Sequence, residues 1–225
     1  IAIEIDEGGK IKVKKINING NDMISKSEIL KSFEKIKERK WYKFWQGNYN
    51  KNDLDSDINN LVKLYKNSGY RDIQVLANEV VFEEKNILIN IDIDEGEKNY
   101  YNSFTFDGNF IFSDSELLDK LGLSYNEVFS EEKFKAAIYQ INSKYMDEGY
   151  YFIQIQNDII PIESNKLNVN FNINESEKTK IRKIIISGND KTHDNVIRRE
   201  LLIHPGDIFS MKKLEESYRE IFMLD

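Results

Sequence analysis

The sequence repeats itself at a fixed spacing, and this periodicity constrains the possible folds more than any other feature. A Gly-Asn pair occurs at 20–21, 108–109 and 188–189, and a Gly-Tyr pair at 69–70 and 149–150. Each of these three Gly-Asn glycines follows the second residue of a Glu-Gly or Glu-Ser pair by 12 residues. Such recurrence indicates a tandem array of repeats of roughly 80–90 residues, each large enough to be a domain.

Within one repeat the hydrophobic patterns run in the order strand, helix, helix, strand, strand. Residues 11–18 alternate with period two, apart from a slip near Lys14-Lys15, and a capping-box pattern at 25–28 begins the first helix. The second helix carries one apolar stripe. Its residues are Leu54, Ile58, Leu61 and Tyr65, which recur 80 residues later as Phe134, Ile138, Ile141 and Tyr145 and again as Leu214, Tyr218 and Ile221.

Each second helix is expected to end at the Gly-Tyr pair, because glycine takes the left-handed conformation of a helix C-cap at little cost. A hairpin follows, predicted at 70–82 with 86–94 and at 150–160 with 166–173. A three-stranded mixed sheet packed under two helices buries these patterns economically. The predicted class is therefore α+β, an elongated array of tandem modules.

The repeats predict four segments. We expect residues 1–8 to be the last strand of a preceding repeat, and 9–96 and 97–176 to be complete repeats. Residues 177–225 form an incomplete repeat, with a strand at 181–187, helices near 195–203 and 210–223, and no hairpin.

Composition excludes several kinds of function. The net charge of −7 argues against nucleic acid as a partner, since such binding needs a basic surface. The chain has no cysteine, and its two histidines lack the spacing of a metal site. The Asp-Ile-Asp-Glu-Gly run at 92–96 lacks the other ligands of a calcium loop. We therefore expect no metal, no cofactor, no catalytic residues and no enzyme activity.

Two clusters remain as candidate contact sites, and each has a purely structural alternative. Arg198, Arg199 and Glu200 form either a docking patch for a partner or a solvated helix face. Trp41 and Trp45 form either an aromatic contact site or the local core of a long loop, since large aromatics often anchor interfaces.

The order of Glu-Gly, strand, Gly-Asn, two helices, Gly-Tyr and hairpin resembles the POTRA repeats of BamA-type outer-membrane assembly factors. The resemblance covers essentially the whole chain. The aromatic segment at 40–45 resembles the third of that family's five repeats. Residues 197–201 with Pro205-Gly206-Asp207 resemble the fifth, so the segments 9–96, 97–176 and 177–225 are expected to be third-like, fourth-like and fifth-like repeats.

The resemblance implies a periplasmic array attached to the outer membrane through a C-terminal β-barrel that lies outside this sequence. The implied partners are unfolded outer-membrane proteins, lipoproteins of the assembly machinery and the barrel itself. In this family the first strand of the hairpin is commonly a sheet edge, which can accept an extended client strand. The expected client edges are Arg71, Asp72, Ile73, Gln74, Val75 and Leu76, and Phe152, Ile153, Gln154, Ile155 and Gln156.

Alternatives to this interpretation stay open at the level of sequence. The edges could be tolerated without function or covered by the neighbouring repeat. The array could belong to another barrel-linked translocation protein, of the two-partner secretion or autotransporter-assembly kind. It could also be an enzyme's accessory array or a structural spacer that binds nothing, although no convergent group of titratable residues supports an enzyme.

Overall fold

The structure is a computed structural model that describes residues 12–39, 48–83 and 86–223. These residues form two compact units. The first unit comprises the described residues up to Tyr100 together with Val128–Glu132, and the second comprises Tyr101–Glu127 and the described residues from Lys133 onward.

The first sheet has the strand order that the repeat pattern predicts. Its outer strands β1 and β2 flank the central strand β3, with β1 parallel and β2 antiparallel to β3. The register of β1 shifts between Val13 and Lys15, which confirms the slip expected near Lys14-Lys15. The elements are β1 (Lys12–Asn19), α1 (Lys26–Ser32), α2 (Lys51–Asn67), β2 (Gln74–Glu83) and β3 (Asn86–Asp94).

The same order recurs in the rest of the chain, which confirms the predicted α+β class of repeated modules. The second sheet has the order β4-β6-β5, and β5 is antiparallel to β6. The elements are β4 (Tyr100–Asp107), α3 (Asp114–Leu121), α4 (Glu131–Asp147), β5 (Gln154–Ile162), β6 (Lys166–Asn174), α5 (Asp194–Glu200) and α6 (Met211–Phe222).

The apolar stripe of the second helix lies in the core, as its spacing predicts. In α2, Leu61 and Tyr65 are fully buried, and in α4 Ile141 and Tyr145 are fully buried. The third stripe differs, because Tyr218 is 68% exposed. The strand expected at 181–187 is wrong for the described part of the chain, because residues 181–187 pair there with no other strand.

The Gly-Asn pairs of the first two repeats are explained by a close approach of two backbones. Gly20 has φ +84°, and a Cβ placed on it would lie 2.1 Å from the carbonyl oxygen of Ile93 in β3. Gly108 has φ +81°, and its Cβ would lie 2.1 Å from the carbonyl oxygen of Ile173 in β6. Only glycine satisfies both the positive φ and the contact, so this residue fixes how the first strand leaves the central strand.

The Glu-Gly pair supplies a buried carboxylate that binds the turn after the first strand. Glu95 follows β3, is 6% exposed, and accepts hydrogen bonds from the backbone N–H groups of Asp22 at 3.1 Å and Met23 at 2.9 Å. It also accepts from the backbone N–H of Ile24 at 3.3 Å and from the Tyr65 hydroxyl at 2.7 Å. One side chain therefore ties the end of the hairpin to the turn and to α2.

The second repeat contains a smaller version of this network. Glu175 accepts a hydrogen bond from the backbone N–H of Ile111 at 3.0 Å and from the Tyr145 hydroxyl at 2.8 Å. In these two repeats, hydrogen bonds of the glutamate thus join the Glu-Gly or Glu-Ser pair to the turn after the Gly-Asn pair and to the last residue of the helical stripe.

The loop after the first helix is held differently in each repeat. Fully buried Asp57 accepts hydrogen bonds from the backbone N–H groups of residues 34–36 at 2.7, 3.1 and 2.6 Å. In the second repeat Gly122 ends α3 in the left-handed conformation, with φ +65°. In the third, the hydroxyl of Ser217 accepts from the Leu202 N–H at 2.8 Å.

A matched pair of glycine substitutions tests the backbone contact. Gly108 and Gly188 have φ values of +81° and +80°, but a Cβ at Gly188 would have nothing within 4 Å. We expect Gly188→Ala to lower the free energy of unfolding only by the cost of placing alanine in the left-handed conformation, about 1–2 kcal/mol. Gly108→Ala must also displace the β6 backbone, so its loss should reach about 3 kcal/mol or more. Urea unfolding followed by circular dichroism measures both, and equal losses would contradict the contact.

The Tyr65–Glu95 hydrogen bond predicts a loss of stability at alkaline pH. Burial, followed by the hydrogen bond to Glu95, raises the pKa of Tyr65 above its ordinary value of 10.0. The folded state therefore keeps the proton at a pH where the unfolded chain releases it. This contribution is fully present below about pH 10, and above it the free energy of unfolding should fall by up to about 1.4 kcal/mol per pH unit for this group.

Comparing variants in urea unfolding between pH 7 and pH 11 isolates that contribution. Tyr65→Phe should make the fall above pH 10 shallower, while costing about 1 kcal/mol at pH 7 through the lost hydrogen bond. Tyr125→Phe is the control, because Tyr125 is 57% exposed and should leave the profile unchanged. Identical alkaline slopes for wild type and Tyr65→Phe would show that Tyr65 does not carry the effect.

Candidate interaction edges

The hairpin strand β2 lies at the edge of the first sheet, but it begins later than the sequence indicates. The expected strand from Tyr70 is wrong at its start, because a tight turn follows the C-terminus of α2. The Arg71 N–H donates to the Gly69 carbonyl at 3.1 Å, and the Ile73 N–H donates to the Tyr70 carbonyl at 3.4 Å. Arg71, Asp72 and Ile73 therefore precede β2, and Gln74–Leu76 lie in it.

The second hairpin shows the same displacement. The Tyr151 N–H donates to the Gly149 carbonyl at 3.0 Å, and the Ile153 N–H donates to the Tyr150 carbonyl at 3.3 Å. Phe152 is 66% exposed and Ile153 is buried, and both precede β5. The residues Gln154, Ile155 and Gln156 open this strand.

The regular part of each edge lies beyond most of the residues expected from the sequence. In β2 the register shifts between Val75 and Ala77, so Leu76 is a bulge residue and regular pairing runs over 77–83. In β5 pairing is regular over the whole strand, although Pro161 brings no N–H. Bulges and prolines are common devices that limit pairing at sheet edges. The longest uninterrupted runs of backbone N–H donors and C=O acceptors on the two edge strands are therefore 77–83 and 154–160.

The opposite edge of the first sheet is covered by the chain itself. The Arg39 N–H donates to the Val13 carbonyl at 2.8 Å, and Glu38 Oε1 accepts from the Ile16 N–H at 3.0 Å. Lys12 makes a further antiparallel bridge with Asn48. The outer side of β1 is thus occupied at three points.

The start of β4 is covered in a similar way. The Tyr101 N–H donates to the Glu127 carbonyl at 2.9 Å, and the Tyr101 carbonyl accepts from the Asn126 N–H at 2.7 Å. The third repeat reproduces this pair 80 residues later, where Ile181 exchanges hydrogen bonds with Asp207 and Gly206 at 2.8 and 2.7 Å. A backbone pair between the first strand and the loop before the second helix is therefore a feature of the repeat.

In contrast, no described residue covers the outer side of β2 or β5 in this way. Within the described ranges, their backbone groups pair only with β3 and β6 respectively. In the second unit, the third repeat approaches the second at other places. The Lys212 N–H donates to Asp147 at 2.7 Å, the Thr179 N–H donates to the Gly149 carbonyl at 2.8 Å, and the rings of Tyr151 and Phe209 lie 4.8 Å apart.

The charged cluster at 198–200 lies at the end of α5. Arg198 Nε lies 2.7 Å from Asp194 Oδ2, and Arg199 Nε lies 3.0 Å from Glu200 Oε1. The side chain of Arg199 is 75% exposed. Each guanidinium has further N–H donors beyond the one used here, so the cluster can still bind a carboxylate.

The remaining candidate features are the aromatic pair, metal ligands and membrane-spanning helices. Trp41 and Trp45 lie outside the described residues. Among the residues that are described, no group of three or more His, Cys, Asp or Glu side chains is placed to hold a metal ion. None of the described helices is long and apolar enough to cross a bilayer.

The sequence and the fold are similar to those of known proteins. A family model for POTRA, described as "Surface antigen variable number repeat", matches residues 11–96, 99–176 and 179–222. The outer membrane protein assembly factor BamA of Nitratidesulfovibrio vulgaris (strain Hildenborough) is 30% identical over 224 residues, which cover 96% of this chain and 28% of that protein. A putative outer membrane protein assembly factor of Treponema pallidum (strain Nichols) is 28% identical over 231 residues, covering 100% of this chain and 27% of that protein.

The chain thus spans less than a third of the length of these relatives. The crystal structure of Haemophilus influenzae BamA POTRA3-5 superposes with a TM-score of 0.78 at 19% identity, covering 99% of this chain and 89% of that one. At that identity the likeness shows the fold. Because the family model matches most of the sequence in three consecutive segments, the chain belongs to the POTRA family, as its repeat pattern indicates.

Proposed function

We propose that this chain is the periplasmic POTRA region of an outer-membrane protein assembly factor, attached to the membrane through a C-terminal β-barrel. It receives extended segments of unfolded outer-membrane proteins by strand addition to β2 and β5. The observation that carries the proposal is the asymmetry of the sheets. In the first sheet the described residues cover the edge formed by β1 and make no backbone hydrogen bond to the outer side of β2. In the second sheet they cover the start of β4 and make no backbone hydrogen bond to the outer side of β5.

Strand addition suits a receptor for many clients. The unpaired N–H and C=O groups of an edge strand bind the main chain of a partner, which all sequences share. Specificity then arises from the side chains that flank the added strand. The names of the relatives, which are outer membrane protein assembly factors, agree with clients that are themselves rich in β-strands.

This geometry also bears on the alternative that each neighbouring repeat covers the edge. In the second unit the third repeat contacts the helix end and the Gly-Tyr pair of the second repeat, at Asp147 and Gly149. Within the described residues, it makes no backbone hydrogen bond to β5. A client strand could therefore pair with β5 without displacing the neighbouring repeat.

A second contact surface is proposed for partner lipoproteins. Arg198, Arg199 and Glu200 lie on the last turn of α5, remote in sequence from the client edges, with Arg199 largely exposed. Exposed guanidinium groups bind carboxylates with defined geometry. The exposed guanidinium of Arg199 could therefore bind a carboxylate of a partner lipoprotein.

Peptides with equal numbers of N-methyl groups test the use of the main chain. Successive residues of a strand present their N–H groups to opposite edges. Three N-methyl groups on alternate residues leave one edge of the peptide intact, whereas the same number divided between both edges leaves none. In an NMR titration, the first peptide should shift the amides of 77–83 and 154–160. The second should bind roughly fivefold more weakly, because even its better edge lacks one hydrogen bond.

Equal binding of the two peptides would contradict strand addition, because side-chain contacts alone would then explain the affinity. Amide shifts confined to 198–200 upon addition of a lipoprotein, with none from the peptides, would make the array a docking scaffold. An absence of any response to peptides or lipoproteins would favour the structural spacer.

A further inference from the structure

The register of β2 divides its side chains between two environments. Val75, Val80 and Phe82 pair with Ile93, Ile89 and Ile87 of β3, which are buried under the helices. Val75 and Val80 pack against that core. Ala77, Glu79, Val81 and Glu83 pair with the alternate residues of β3 and lie on the helix-free face.

On this helix-free face, Glu79 occupies a defined position. It pairs with Asn90 of β3, whose side-chain Oδ1 accepts a hydrogen bond from Asn17 Nδ2 of β1 at 2.9 Å. The three residues form one row across the sheet, and Glu79 is its outermost member. Glu79 is exposed and makes no ion pair with a described residue.

The second sheet has the same row. Asp158 of β5 pairs with Asn170 of β6, and Asn170 Oδ1 accepts a hydrogen bond from the Thr105 hydroxyl of β4 at 2.8 Å. Asn90 and Asn170 are 80 residues apart, so they are equivalent positions of the repeat. Asp158 is exposed, and its carboxylate makes one hydrogen bond, accepted from Asn172 at 3.3 Å.

The equivalence of Glu79 and Asp158 is visible only in the structure. The two residues are 79 positions apart in the sequence, because the bulge at Leu76 adds one residue to β2. Residues 74–83 and 154–162 contain no lysine or arginine. Each uncovered edge therefore presents a carboxylate at the same place on the same face, with no basic side chain in its own strand.

We propose that Glu79 and Asp158 are the specificity-determining residues of the two edges and select client strands with a basic residue at the facing position. The inference rests on the proposed function, since it concerns the side chains of a strand added to β2 or β5. The preferred client is an extended segment with period-two alternation. Apolar residues lie on its helix side, beside Val80 and Phe82 or beside Ile155 and Ile159, and lysine or arginine lies on its helix-free side.

The physical basis is the short distance between facing side chains of paired strands. Directly opposite side chains have Cβ atoms about 4.5–5.5 Å apart, so opposite charges attract and like charges repel. For one exposed pair, the effect on affinity is roughly one-and-a-half- to fivefold in each direction. A preference of that size biases the register and choice of clients without excluding other sequences, and it weakens as salt screens the pair.

Three peptides and matched charge variants test the proposal. The peptides alternate valine with lysine, glutamate or glutamine, and their affinities are measured from the amide shifts of β2 and β5 separately at low and high salt. Wild type should bind the lysine peptide about two- to fivefold more tightly than the glutamine peptide, and the glutamate peptide more weakly. Glu79→Lys should weaken the lysine preference at β2, where the Glu83 carboxylate remains on the same face, and leave it unchanged at β5. Asp158→Lys should reverse the order at β5 and leave it unchanged at β2.

Controls separate position from net charge, which is −7 for the whole chain. Asp55→Lys and Asp119→Lys change the charge by the same amount at exposed helix positions. Both should keep the lysine preference at both edges. If they abolish it as fully as the edge variants do, or if Glu79→Lys leaves it intact, the assignment is overturned. If no peptide shifts the amides of β2 or β5, strand addition itself is contradicted. If all three peptides shift those amides with equal affinity, strand addition stands and the charge preference is overturned.

Discussion

The buried Glu95 carboxylate is the interaction on which the first repeat depends. It lies at the end of the central strand and binds three consecutive residues of the turn after β1 together with the hydroxyl of α2. A carboxylate removed from water at this position is stable only while its hydrogen bonds are made, so the turn, the helix and the hairpin must be in place together. The backbone contact at Gly20 imposes the same geometry without a side chain. These two constraints hold β1 parallel to β3 and so leave β2 as an outer strand.

Much of this architecture could be predicted from the sequence because the constraints recur. A Glu-Gly or Glu-Ser pair precedes the Gly-Asn pair of each repeat at equal spacing, and the stripe that ends in Tyr65 or Tyr145 follows the period of a helix. The physical role of these pairs could not be predicted. The backbone partners of Glu95 lie more than 70 residues away in sequence, and its hydroxyl partner, Tyr65, lies on α2. The role of Asp57 could not be predicted from the repeat pattern, because the repeats do not share an aspartate at this position. In the third repeat, for example, Ser217 holds the loop.

The candidate edges were located only approximately from the sequence, for two local reasons. Apolar alternation already begins at Ile73 and continues into β2, although Ile73 closes the turn after α2. Alternation also cannot show a bulge, since one extra residue at Leu76 shifts the later pairing without changing composition. The segment 71–76 therefore overlaps the part of the hairpin least able to pair with a client. The regular part of the edge begins at Ala77.

The bulge also decides which edge residues of the first two repeats are equivalent. If the two repeats are aligned at the 80-residue spacing, Asp158 corresponds to Asn78. Asn78 lies on the helix side of β2, opposite Ile91. Sheet register pairs Asp158 with Glu79, opposite Asn90. Because a one-residue shift exchanges the two faces of a strand, only the structural equivalence is physically meaningful. Recognition that depends on side chains at a sheet edge must therefore be compared between repeats through the central strand, whose register is continuous, and not through the edge strand itself.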